Sequence, residues 1–145
     1  MPRQTFAFEQ LVTSTQMNTL QASVWTDDVN AQTISYTLVI GDAGKQVQIT
    51  SASATTLTVP PNSVAFATGV VIKVMQLGAG TVTIAQGAGV TFTDPSGGSS
   101  TTVNVPMFQY QINTLVKTAT DTWLVIRGPV ATDDQNNVLA TQVYS

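Results

Sequence analysis

The sequence predicts an all-β fold, an antiparallel β-sandwich or jelly-roll-like domain with an N-terminal arm that contains one short helix. Three observations predict this class. The chain is rich in Val, Ile and Thr, which favour strands. Short alternating runs are separated by Gly, Pro, Asn and Ser, as in sandwiches and small barrels. Apolar residues recur at helical spacing near the N-terminus, and the 145-residue length suits a single β-domain.

The pattern divides the chain into three segments. Residues 1–34 form the predicted N-terminal arm, residues 35–128 the β-domain, and residues 129–145 a C-terminal tail. The tail is polar and then weakly alternating, which fits either a frayed chain end or a strand exchanged onto a neighbouring sheet edge. Both interpretations stay open.

The arm carries one helix signal. Thr13 and Gln16 match a capping box, and the apolar residues that follow at helical spacing predict a helix near 14–25. A stripe of three apolar residues, Met17, Leu20 and Val24, cannot hold an isolated helix, so the helix must pack on something. It packs either on its own β-domain or on a partner. The candidate docking residues in the second case are Phe6, Phe8, Leu11, Met17, Leu20 and Trp25.

The β-domain is predicted to hold eight or nine short strands. Val70–Leu77 is the longest apolar run and is expected to be a central strand. Pro60 and Pro61 end the strand before them because proline donates no N–H to a ladder. The predicted strands are Tyr36–Ile40, Lys45–Thr50, Leu57–Val59, Val70–Leu77, Thr81–Ala85, Val90–Thr93 and three near 101–105, 107–117 and 122–127.

A short repeat occurs within this domain. Gly78–Thr83 and Gly87–Phe92 share a Gly-Ala-Gly start and lie nine residues apart. The repeat is consistent with a β-solenoid or with two hairpin turns. Two copies are too few to build a solenoid core, so hairpin turns are the preferred interpretation.

Charge and residue usage exclude several function classes. The chain has five basic and eight acidic residues and no His or Cys. It therefore lacks an imidazole base, a thiolate nucleophile and a zinc or iron–sulfur ligand set, and we expect no enzyme activity and no cofactor. The cations are scattered and no apolar segment could span a bilayer, so neither nucleic acid nor a membrane is an expected partner.

The remaining polar and aromatic candidates are weak. The adjacent pairs Asp27-Asp28 and Asp133-Asp134 are expected to be solvated turn carboxylates, and Asp94 lacks a second carboxylate for a cation site. Trp123 begins a buried strand and is expected in the core. Three other aromatic residues could line a sugar-stacking face, although sheet packing is the favoured role: Tyr36, Phe108 and Tyr110.

A charged fraction of 9% is low for a free monomer, which favours a surface covered by copies of the chain or by a larger assembly. The order of motifs points the same way. Between residues 36 and 128 the chain resembles a β-module recurrent in tailed-bacteriophage structural proteins, and Leu11–Asn18 is similar to an element that opens many phage accessory and tail polypeptides. The segments that carry the first resemblance are Tyr36–Lys45, Thr58–Asn62, Gly69–Thr83, Gly87–Thr91 and Thr120–Gly128.

The resemblance implies a virion structural protein without enzyme activity and with a homotrimeric habit. A decoration or cement protein bound to the major capsid protein, on the outer surface of the particle, is the expected role. The alternative is a tail fibre or tail accessory module that attaches to the tail or binds a host receptor or glycan, through loops such as Pro60–Ser63 or Asp94–Ser100.

Overall fold

A computed structural model describes Ser14, Thr15, Asn18 and residues 27–95, 99–101 and 104–129. The fold is all-β, as predicted, and the described residues form strands in two mixed sheets with one 3-10 helix over Ile40–Asp42. Ser14, Thr15 and Asn18 have helical backbone, but the other positions of the helix predicted near 14–25 lie outside the described residues. None of the described helices is long and apolar enough to cross a membrane.

Eleven strands are present in the described part of the chain. Their bounds are β1 Val29–Gln32, β2 Tyr36–Thr37, β3 Gln46–Ile49, β4 Thr55–Val59, β5 Val71–Gln76, β6 Val82–Gln86, β7 Thr91–Asp94, β8 Ser99–Thr101, β9 Val105–Met107, β10 Ile112–Ala119 and β11 Thr122–Arg127. β1 lies within the segment assigned to the arm, and it forms the edge of a sheet.

The larger sheet has seven strands in the order β1-β3-β5-β10-β11-β7-β8, and the smaller has four in the order β2-β4-β6-β9. Val71–Gln76 is a central strand, as predicted, because β3 and β10 flank it. The expectation of antiparallel sheets is wrong for much of the fold. β1, β3 and β5 run parallel to one another, as do β2, β4 and β6, and β11 runs parallel to β7.

From β1 to β7, successive strands alternate between the two sheets, which stacks this part of the chain in coils. β1 and β2 form the first coil, β3 and β4 the second, and β5 and β6 the third. Residues of the second coil pair with residues 27 positions later in the third, Gln46 with Lys73 and Thr55 with Val82. The repeat that organises the fold is therefore longer than the nine-residue repeat seen in the sequence.

The two Gly-Ala-Gly turns are corners between the sheets, so the hairpin interpretation is wrong. β5 and β7 belong to the seven-stranded sheet, whereas β6 belongs to the four-stranded one. Glycine is required because each corner stacks on the coil below. A Cβ at Gly78 would lie 2.0 Å from the carbonyl oxygen of Ser51, and a Cβ at Gly80 would lie 2.1 Å from that of Ser53.

One core lies between the sheets and takes inward side chains from both. Val47, Ile72 and Trp123 come from the larger sheet, and Leu57 and Ile84 from the smaller. The alternation of apolar residues along each strand places them there, because successive side chains point to opposite faces. Trp123 is 1% exposed, so its predicted core position is confirmed.

Two predicted strands are shorter or divided. The expected strand Tyr36–Ile40 ends at Thr37, because the chain turns into the 3-10 helix at Ile40. The expected strand over 107–117 is split between β9 and β10 by a turn at Gln109 and Tyr110, and the φ of Tyr110 is +64°. A local apolar pattern does not reveal such a turn when a bulky residue occupies the left-handed position.

Candidate docking face

The outward side of the seven-stranded sheet carries an apolar face. Inward residues of β5, β10 and β11 are buried in the core, so the alternate residues of these strands point away from it. Val71, Ile112 and Ile126 are 39%, 42% and 44% exposed, and the other members are half-buried. The members of this apolar face are Val71, Met75, Ile112, Val116, Leu124 and Ile126.

Strand register makes the apolar face continuous. Met75 lies opposite Ile112, and Val116 lies between Val71 and Leu124. Thr114, between Lys73 and Ile126, occupies the centre. Directly opposed residues on a sheet contact each other, so these side chains form one surface across three strands.

The outward side of the four-stranded sheet differs in chemistry. Its outward residues on β4 and β6 are Thr56, Thr58, Thr83 and Ala85, with Thr56 opposite Thr83 and Thr58 opposite Ala85. We call these four residues the threonine face. Hydroxyl groups remain solvated at such a surface, whereas the apolar face exposes branched hydrocarbon to water. The same chain therefore has one outward face suited to water and one suited to burial.

Among the outward residues of β5, β10 and β11, Lys73 is the only charged one, and it forms an ion pair. Its Nζ lies 2.5 Å from Oδ2 of Asp27, and the neighbouring Asp28 pairs with Lys45 at 3.2 Å. Asp27 and Asp28 are both exposed, as expected of solvated carboxylates, and each also faces a lysine. Exposed pairs of this kind contribute little stability. Asp133 and Asp134 lie outside the described residues.

Two buried acidic side chains in the described part of the chain, Asp42 and Asp94, also have partners. Asp42 is buried, and its carboxylate accepts hydrogen bonds from Asn30 Nδ2 at 2.7 Å, the Tyr36 hydroxyl at 3.0 Å and the Val39 N–H at 2.8 Å. Asp94, also buried, pairs with Nε of Arg127 at 2.7 Å. Within residues 27–95, 99–101 and 104–129, no three metal-ligating side chains converge.

A buried lysine on β10 binds the loop that follows β4. Lys117 is 3% exposed, donates from Nζ to Oδ1 of Asn62 at 2.6 Å, and lies 5.8 Å from the ring centre of Trp123. The backbone N–H of Asn62 donates to Oδ1 of Asp121 at 2.6 Å. The Pro60–Ser63 loop, a predicted recognition loop, is thus tied to β10 and to the β10–β11 turn.

The three aromatic candidates do not form one face. Tyr36 is half-buried, packs against the core and bonds Asp42. Phe108 and Tyr110 are 49% and 71% exposed on the β9–β10 turn. Buried Gln111 holds this turn, because its Oε1 accepts from the Phe108 N–H at 3.0 Å and its Nε2 donates to the Gly128 carbonyl at 3.0 Å.

Sequence reasoning missed the apolar face, although one signal was available. Each contributing strand alternates two sets of apolar residues, as in Leu115 and Val116, so both sides of the strand are apolar. The predicted arm residues Phe6, Phe8, Leu11, Met17, Leu20 and Trp25 lie outside the described residues. In the predicted Asp94–Ser100 loop, Asp94 ends β7 and Ser99 and Ser100 belong to β8, while residues 96–98 lie outside the described part.

Comparison with known proteins returned no matching family, no matching curated protein and no matching solved structure.

Proposed function

We propose that the chain is a non-enzymatic structural protein of a tailed-phage particle, a decoration or cement protein that forms homotrimers and binds the outside of the assembled capsid. The apolar face is the observation that supports this function best. Six apolar residues lie on the outward side of β5, β10 and β11, where the single charged residue, Lys73, is ion-paired. A contiguous apolar patch of this kind marks an interaction surface rather than a solvated one.

In this proposal the domain is a β-sandwich or jelly-roll-like unit, and the arm with its short helix reaches the shell. The distal apolar residues Phe6, Phe8 and Leu11 contact the major capsid protein, with Met17, Leu20 and Trp25 adding to the same docking arm. Binding relies on burial and hydrogen bonds, because the strands offer few charges for salt bridges. Binding to the assembled particle stabilises the folded state by mass action.

Copy number in the particle tests this function. Quantitative mass spectrometry of purified particles of the phage that encodes the chain should find hundreds of copies for a decoration protein. Size-exclusion chromatography with light scattering should find a trimer. Absence of the chain from the particles, or a stable monomer at high concentration, would contradict the proposal.

A second candidate function, a tail module that binds a host glycan, is favoured by the Phe108–Gln111 turn. Two aromatic rings are exposed on a turn held by hydrogen bonds, and the backbone of Tyr110 adopts a conformation that bulky residues avoid. Exposed aromatic rings on a rigid turn suit stacking on sugar rings. Copy number then falls to a few dozen or fewer per particle.

Two substitutions test the second function without disturbing the fold. Tyr110→Asn suits the left-handed backbone and Phe108→Ser shortens an exposed side chain, so both variants should remain folded. Loss of binding to host cells in both variants, with binding kept in Ile34→Ser as a control at another exposed apolar residue, supports the tail module. Unchanged binding in the Phe108 and Tyr110 variants removes this turn from consideration.

A further inference from the structure

We propose that residues 13–26 cover the apolar face of their own chain, with Met17, Leu20 and Val24 packed across β5, β10 and β11. This inference concerns the free protein, before Met17, Leu20 or the apolar face takes part in docking on a particle, and it does not depend on the virion role. Of the two interpretations of the arm helix, packing on its own β-domain or on a partner, it takes the first and names the surface on which the helix packs.

The first argument is where residues 13–26 end. Asp27, the next residue, pairs with Lys73, and Lys73 lies opposite Thr114 at the centre of the apolar face. The chain continues through Asp28, whose carbonyl accepts from the Gln46 N–H at 2.9 Å, into β1 at the sheet edge. The preceding residues therefore start on the outward side about two strand spacings, or about 10 Å, from β5, and about three residues reach it at about 3.5 Å per residue.

The second argument is a match of dimensions. A helix over residues 14–25 would be about 18 Å long at 1.5 Å per residue. The three strands of the apolar face, β5, β10 and β11, span about 10 Å at a spacing of about 4.8 Å, so the helix is longer than the face is wide. One helix of this length covers the width of the apolar face, which is the usual way a sheet buries an outward apolar side.

The third argument is the orientation of the segment's side chains. At 3.6 residues per turn, Ser14, Thr15 and Asn18 fall on one side of the helix, and Met17, Leu20 and Val24 fall on another. Ser14, Thr15 and Asn18 are exposed. The segment thus has an apolar stripe that needs a partner, and the apolar face, whose one neighbouring charge is the ion-paired Lys73, lies near the residue where the segment ends.

Thiol labelling tests the inference on the full chain, which contains no native cysteine. Thr114→Cys places a probe at the centre of the apolar face, and Thr58→Cys places one on the threonine face. Both parent residues are half-buried. Each labelling rate with a small thiol reagent is divided by the rate of the same variant unfolded in urea, which corrects for intrinsic reactivity.

We expect the Thr114→Cys thiol to be labelled at least about tenfold more slowly than the Thr58→Cys thiol, because the docked segment must open before the reagent enters. Adding Leu20→Asp should raise the Thr114→Cys rate to that of Thr58→Cys. Adding Asn18→Asp, which introduces the same charge on the exposed side, should leave the rate unchanged. Circular dichroism checks that every variant keeps its strands.

Three outcomes overturn the inference. Equal rates at the two probes mean that nothing covers the apolar face. If the Thr114→Cys thiol is still labelled slowly when Leu20→Asp is added, something other than residues 13–26 covers the apolar face. Protection that grows with protein concentration means that a second copy provides the cover, since docking within one chain is independent of concentration.

Discussion

The hydroxyl of Tyr36 donates a 3.0 Å hydrogen bond to Oδ2 of Asp42, which is 2% exposed. The same carboxylate also accepts from Asn30 and from the Val39 N–H, so one buried acid joins β1, β2 and the 3-10 helix. These elements form the first coil, where the core meets the sheet edge. Asp42 satisfies the polar groups that this end of the core would otherwise leave unpaired.

Removing this acceptor should destabilise the first coil. Asp42→Ala leaves three donors without their partner and should lower the free energy of unfolding by about 2–4 kcal/mol. Tyr36→Phe removes one hydrogen bond and keeps the ring, so about 1 kcal/mol is expected. Urea denaturation measures both values. An Asp42→Ala variant as stable as Tyr36→Phe would contradict the central role of the carboxylate.

Stability should also fall in alkaline solution. Burial raises the pKa of Tyr36 above its ordinary value of 10.0, and the nearby charge of Asp42 acts in the same direction. A raised phenol pKa means that the folded state holds the proton more tightly, so this contribution is intact below about pH 10 and is lost as the pH rises through the folded pKa. Denaturation between pH 8 and 11.5 should show this loss.

Two matched variants assign the alkaline effect. Tyr36→Phe should flatten the fall in stability above pH 10, because the titrating group is gone. Tyr110→Phe, at a residue 71% exposed, should leave the fall as it is. An unchanged slope in Tyr36→Phe would assign the effect to another group.

The stacked corners predict which glycines tolerate a methyl group. Gly80→Ala would place a Cβ 2.1 Å from the Ser53 carbonyl oxygen, whereas Gly41→Ala meets nothing within 4 Å. We expect Gly80→Ala to lower the free energy of unfolding by about 2–3 kcal/mol or to prevent folding. Gly41→Ala should be neutral or slightly stabilising, because alanine restricts the unfolded chain. Thermal denaturation of the pair measures the difference, and equal melting temperatures would show that the corners do not stack this closely.

The buried Lys117 should depend on its acceptor. Asn62→Ala leaves the ammonium group without its 2.6 Å acceptor and should lower the free energy of unfolding by about 2–3 kcal/mol. Lys117→Met removes the charge and keeps much of the contact with Trp123, so a smaller loss is expected. In the double variant, Asn62→Ala should lower the free energy of unfolding little beyond the loss that Lys117→Met alone causes. A cycle in which the two losses simply add would show that the contact carries no coupling energy.

The local features of the fold follow from sequence patterns. The apolar run before Leu77 predicts the central strand β5, and the alternation in Leu57 and Val59 predicts which side chains of β4 enter the core. Strand pairing does not follow in the same way. The local pattern does not show that the Gly-Ala-Gly turns join different sheets. The stacked coils become visible when the sequence is compared with itself at a 27-residue offset, which aligns Val47 with Val74 and Leu57 with Ile84.

For the apolar face, too, some properties follow from the sequence and others only from the tertiary structure. Absence of His and Cys, scarcity of charge and the apolar arm are properties of the sequence alone, and the first of them excludes chemistry that needs an imidazole or a thiolate. Only the tertiary structure joins Met75, Ile112 and Leu124 into one outward surface and brings Asp27 to Lys73 beside it. The physical reason is range: side-chain alternation is set by neighbouring residues, whereas strand pairing is decided by many weak contacts between residues far apart in the chain.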